Sequence, residues 1–310
     1  MNFHDTVAPL IYNPDKRPLH GYMRAGGLLA NNVDCQHCQQ PMELVDRPDD
    51  QEKFSWRCSN GRCARKHSRM SVKTGSIFEK TKVPLAKWLH VVVLWTIETS
   101  VTNTCALTSM SMHTLIDLFQ FLKDICEGKL LQNPVQLGGI DATGAGIICE
   151  IDESCFRHKT KYHRGRAPQR NQWVFGIVDT SITPATGYLR MVNRRDAATL
   201  LPIIQNVIRP GSIIHSDQWR AYHGIQQQLG LQHRTVNHSL NFVDPGTGVH
   251  TQHIESYWNK CKGRFKAMQG TTIGKLPSYL DEFMWRDRFG RTHQDCFDNI
   301  RRHIAEFYPV

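Results

Sequence analysis

The chain has 310 residues, 40% apolar and 21% charged, enough to bury a large core and to divide into two or three domains. No window approaches 18 uninterrupted apolar residues, so no membrane-spanning helix is expected, and Met1-Asn-Phe-His-Asp5 lacks the basic start and apolar stretch of a secretory leader. A formal net charge of +10, before any of the 16 histidines is protonated, favours a polyanionic partner but says nothing of fold.

Residues 1–30 show no strong periodicity and read as a flexible N-terminal arm. Residues 31–79 form a small module around Cys35-x2-Cys38 and Cys58-x4-Cys63, with nineteen residues between the pairs. Four thiolates at this spacing bind zinc tetrahedrally, and a short module without a full core folds around such an ion. Asn60-Gly61 supplies the turn, and Phe54 and Trp56 alternate as in a ribbon strand. A closed four-ligand site is structural. Arg57, Arg62, Arg65, Lys66 and Arg69 make one end of it basic, which suits DNA or simply a solvated face. The other six of the ten cysteines (Cys105, Cys126, Cys149, Cys155, Cys261 and Cys296) stand singly and read as small buried hydrophobes.

From Pro84 the period becomes helical. Leu85, Trp88, Leu89, Val92 and Trp95 share a face, and Leu115, Leu118, Phe119, Leu122 and Ile125 mark another. Residues 80–135 therefore read as a helix-turn-helix-like DNA-binding region or a plain helical linker. Glycines at 138, 139, 144 and 146 mark a boundary. Beyond it come strand-type runs at Ile147–Ile151, Trp173–Val178, Tyr188–Val192, Ile213–Ser216 and His233–Val236. Helical stretches at Asp196–Val207 and Trp219–Leu229 interleave with them. Three strands, helix, strand, helix, strand, helix is the order of a ribonuclease-H-like α/β domain with a mixed five-stranded sheet, placed here at 140–275. Residues 276–310 form a C-terminal helical tail.

Three carboxylates in this domain carry the chemistry. Asp152 ends one apolar run, Asp217 ends another, and Glu255 lies in the helical pattern His250–Trp258. They are separated by 64 and 37 residues. Two acids on neighbouring strands and a third on a helix can meet at one sheet edge, where two magnesium or manganese ions would serve in-line attack on a phosphodiester. Glu150 or Glu153 could substitute in this reasoning, and alternation puts Glu150 on the face of Asp152. Lys262 follows Glu255 by two helical turns and projects from the same face. It lies in a basic run, Lys260, Lys262, Arg264 and Lys266, suited to DNA phosphates. A second basic run, Arg157, Lys159, Lys161, Arg164 and Arg166, directly follows Asp152 and suits a DNA backbone. His215 and His238 are candidate active-site histidines, whereas Trp219 and Tyr222 read as packing.

The segments Ile151-Asp-Glu-Ser154, Trp173-Val-Phe-Gly-Ile-Val-Asp179, Ile214-His-Ser-Asp-Gln-Trp-Arg-Ala-Tyr222, Val236-Asn-His-Ser239 and His250-Thr-Gln-His-Ile-Glu-Ser-Tyr-Trp-Asn-Lys-Cys-Lys262 together resemble DDE transposases of the Merlin superfamily. Their bacterial insertion-sequence relatives share the same ISXO-type transposase domain. The resemblance spans about residues 31–290. It implies catalytic Asp152, Asp217 and Glu255 with Lys262 as the associated basic residue. It also implies cleavage at terminal inverted repeats, strand transfer into target DNA, and a homo-oligomer in the synaptic complex. Many relatives carry Asn where this chain has Gln252, but the charge of Glu255 makes it the better metal ligand. Such a protein is nuclear in a eukaryote and cytoplasmic in a bacterium. A domesticated DNA-binding derivative, or a ribonuclease-H-like nuclease that hydrolyses without joining, is the alternative.

Overall fold

A computed structural model of the chain describes residues 3–156, 171–237, 240, 242–268 and 270–310. Two compact units emerge, residues 1–125 with 289–310 and residues 126–288. Among the described residues no helix is long and apolar enough to cross a membrane.

The first unit begins with three short helices, α1 (Phe3–Thr6), α2 (Ala8–Tyr12) and α3 (Arg17–Ala25), where the sequence suggested a loose arm. Prolines at the start of α2 and α3 favour helix entry. Val7, Ile11, Leu19 and Met23 are then buried. Each helix is too short for a periodicity signal to stand out. Three antiparallel strands follow, β1 (Glu43–Asp46), β2 (Phe54–Arg57) and β3 (Arg69–Ser71), in that spatial order. Helices α4 (Leu85–Thr96) and α5 (Val101–Thr108) come next, and α6 (Met112–Gln132) begins in this unit and ends in the second. The Ser100 side chain caps α5.

The second unit contains β4 (Leu137–Gly138), β5 (Ile148–Phe156), β6 (Gln172–Asp179), β7 (Thr186–Val192), α7 (Ala197–Val207), β8 (Ile208–Arg209), β9 (Ile213–Asp217), α8 (Ile225–Leu229), β10 (Gln232–Val236), α9 (Gln252–Ala267) and α10 (Leu276–Phe289). Its sheet runs β10-β9-β5-β6-β7, antiparallel from β5 to β7 and parallel on the side of β9 and β10. This mixed five-stranded order, with flanking helices, is ribonuclease-H-like. Cys149, Ile151, Phe175, Ile177, Leu200, Ile204, Ile214 and Tyr222 belong to the core on one side of the sheet. The expected helix over 219–229 is split into a 3-10 turn at Arg220–Tyr222 and α8, with Gly224 between them. The C-terminal tail also divides: α10 lies almost wholly in the second unit, whereas α11 (His293–Phe307) belongs to the first.

Candidate active site

β5 runs on to Phe156, so Asp152 stands within the strand rather than at its end. β9 does end at Asp217. The parallel pairing sets Ile148 against Ile213 and Glu150 against His215. Continued two residues, that register puts Asp152 level with Asp217.

The face of β5 that carries Glu150, Asp152, Ser154 and Phe156 meets α9 rung by rung. The Ile254 N–H donates to Glu150 Oε2 at 3.0 Å. Trp258 Nε1 donates to Asp152 Oδ2 at 3.0 Å. Lys262 Nζ donates to Ser154 Oγ at 2.5 Å and lies 5.4 Å from the centre of the Phe156 ring. Phe156 packs edge-on against Trp258 and Phe265. Two glycines make the close approach of α9 feasible. A Cβ at Gly176 would stand 2.6 Å from Trp258 Cζ2, and one at Gly187 would stand 2.8 Å from Tyr257 Cε1.

Electrostatics tie the three acids together. Burial pushes the Asp152 carboxyl up to about 6, and the charges of Asp217 and Glu255 add to the rise, against the Trp258 N–H. Glu153, on the opposite face of β5, is pushed to about 7 by burial and by Asp152 and Asp217, although it accepts a 2.8 Å hydrogen bond from the Tyr222 hydroxyl. The Trp219 N–H donates to Asp217 Oδ1 at 2.9 Å, and Arg195 stacks on the Trp173 ring at 3.6 Å. Asp217 is half-buried and Glu255 is exposed, and the carboxylates of all three offer the hard oxygen donors that a divalent cation takes.

Other expected contacts divide. Arg264 pairs with Glu282 at 2.9 Å and Lys260 with Asp287 at 2.6 Å, so the protein's own carboxylates engage two of the cations expected at DNA phosphates. Arg264 is largely covered, whereas half of the Lys260 side chain stays exposed. His215 is buried beneath the acids, across from Glu150. Arg157, Lys159, Lys161, Arg164, Arg166 and His238 lie outside the described residues. Three further groups support the acids. Trp258 holds Asp152, Tyr222 holds Glu153, and Glu150 accepts from the first turn of α9. Alternation in the sequence already puts Glu150 on the face of Asp152, whereas Tyr222 reads there as packing and nothing in the local pattern marks Trp258 as a partner of Asp152.

In the first unit, Cys35, Cys38, Cys58 and Cys63 converge with all four sulfurs within 4.8 Å of one another. Cys35 and Cys63 are 3.9 Å apart and Cys38 and Cys58 3.7 Å. A tetrahedral zinc ion with bonds of about 2.3 Å requires sulfur separations of about 3.8 Å, so the cluster fits that ion. The backbone N–H of His37 and the Ser68 hydroxyl lower the Cys35 thiol to about 6. Burial raises Cys58 and Cys63. Trp56 and Met42 pack around the cluster.

Residues 141–287 match the family model of the ISXO2-like transposase domain. An uncharacterized transposase-like protein of Haemophilus influenzae is 30% identical over 99 residues, 32% of this chain and 78% of that protein. The catalytic core domain of BIV integrase is similar at 13% identity over 47% of this chain and 84% of that one, with a TM-score of 0.31. The catalytic core domain of HTLV-2 integrase, solved in complex with magnesium, is similar at 11% identity over 45% of this chain and 83% of that one, with a TM-score of 0.29.

Proposed function

Because the chain belongs to the ISXO2-like transposase family, we propose that it cuts DNA at the terminal inverted repeats of a mobile element and joins the freed 3′ ends to target DNA. The observation that carries this reading is the convergence of Asp152 and Asp217 on adjacent strands with Glu255 on the helix docked over them.

Asp152, Asp217 and Glu255 would hold two magnesium or manganese ions, which supply Lewis acidity to the attacking and leaving oxygens of a phosphodiester. Around them the chain's own groups do the positioning. The Trp258 N–H fixes one oxygen of Asp152, leaving the other for the metal. The backbone N–H of Trp219 likewise fixes one oxygen of Asp217. Lys262, held over the same strand face by Ser154, presents a cation to a DNA phosphate at the level of the acids. The four-cysteine cluster would take zinc and serve as a structural module. The net charge of +10 draws DNA to the protein, and synapsis of two element ends calls for more than one copy.

The test is incubation of the purified protein with inverted-repeat DNA, with and without magnesium or manganese, scoring cleavage and joining separately. Asp152→Asn and Asp217→Asn are expected to reduce both to background while DNA binding persists. Cleavage retained in either variant overturns the metal-ligand assignment, and cleavage without joining reassigns the protein as a nuclease.

A further inference from the structure

Just below the acids lies a second set of potential ligands. Glu150, His250 and His253 bring three donor atoms within 4.8 Å of one another. The Nδ1 atoms of His253 and His250 stand 2.7 and 3.3 Å from the same oxygen, Glu150 Oε1. The Glu150 carboxylate is 1% exposed, and its other oxygen is fixed by the Ile254 N–H. Oε1 is therefore oriented toward the two imidazoles by a backbone donor, as an outer hydrogen bond orients a metal ligand.

A second observation points to the same place. His215, 5% exposed, pairs directly across the strands from Glu150. Among the described residues neither of its buried ring nitrogens has a well-formed hydrogen bond, although the backbone of His250 lies beside it. Buried polar atoms ordinarily find a partner, so an orphan imidazole next to a Glu–His–His cluster points to a ligand-binding role for the cluster.

We propose that Glu150, His250 and His253 bind a transition-metal ion of the zinc class, at a site distinct from the four cysteines and from Asp152, Asp217 and Glu255. His215 lies beside this site, across the strands from Glu150. Two imidazoles with one carboxylate suit zinc-class ions, whereas magnesium takes oxygen donors in an octahedron. A tetrahedral ion with bonds of about 2.0–2.1 Å sets its donors about 3.3 Å apart. His250 and Glu150 already have that separation. The His253 ring has to withdraw by about 0.6 Å, which its 47% exposed side chain allows. Binding displaces the proton shared between His253 and Glu150. Glu150 precedes Asp152 by two residues and His253 precedes Glu255 by two, so the ion would fasten the first turn of α9 to β5 beside the acids.

The test counts zinc in the full-length chain by plasma mass spectrometry after dialysis in excess magnesium, which occupies the carboxylate trio. The expected content is about two ions per chain. It falls to about one in the double variant His250→Ala/His253→Ala and in Cys35→Ser/Cys38→Ser. His253→Gln, which keeps a hydrogen bond to Glu150, serves as the second variant, with circular dichroism as the check on folding. Cobalt substitution separates the sites spectroscopically. The thiolate charge-transfer bands vanish in the cysteine variant, and weaker visible bands survive in it. A wild-type chain holding a single ion overturns the proposal. So does a second ion that persists in the histidine variants but disappears in Asp152→Asn/Asp217→Asn. These counts do not depend on DNA cleavage, so failure here and failure of transposition are told apart.

Discussion

The acids of this chain differ by what surrounds their protons. Glu282, although burial pushes it up, is held below the usual carboxylate range by Arg286 and Arg264. Asp281, its neighbour on α10, is pushed up to about 6 by burial, with the Glu127 charge adding to the rise. Its folded value lies above the unfolded one of about 3.9, so the native state holds the proton more tightly. Stability from this group is present below pH 4 and is lost as pH rises through about 6. Asp281→Asn is therefore expected to stabilise the protein by about 1–3 kcal/mol at pH 7 and to leave it unchanged near pH 4. Urea titrations at the two pH values check this. Single residues were legible where local pattern carries the information. Asp152 and Asp217 follow apolar runs, and the cysteines announce themselves by spacing. Glu150 depends on a helix 104 residues downstream. The partners of Arg264 and Lys260 lie 18 and 27 residues further on, so a basic run that reads as open to DNA is partly closed by carboxylates the pattern did not connect with it.

Among the elements, α9 and the strand face it covers form one construction. Gly176 and Gly187 are the places where β6 and β7 admit its aromatic side chains. Gly176→Val drives a side chain into Trp258 and is expected to cost about 1–3 kcal/mol through overpacking. It also lifts the helix that carries Glu255, so DNA cleavage should fall further than the loss of thermal stability accounts for. Measuring both on the same preparation checks this, and equal declines would show that the helix does not move. The strands and α7 were readable because alternation and the Asp196 cap are strong local signals. The helix expected after Asp217 breaks at Gly224. Helices α1 to α3 were missed because four to nine residues give a periodic pattern too few turns to register.

For the molecule as a whole, the partition into two units predicts separable responses to metal loss. Cys58→Ser removes one of four thiolates from a module with a small core of its own. Cleavage by a protease is expected to concentrate in residues 31–79, while the sheet of the second unit stays protected. Equal exposure of both units to the protease would contradict that independence. The division of the C-terminal tail between the units was not visible in the sequence, because α10 and α11 carry similar helical patterns and only their packing partners differ. The rungs between β5 and α9 have a further consequence. The rungs join residues far apart in the chain, so the spacing of α9 from β5 is set by these contacts and not by a short stretch of chain. The length and composition of the chain between the two elements can therefore change over evolutionary time while β5 and α9 keep their spacing. A family built on such a strand–helix pair can vary the intervening chain without rebuilding the pair itself.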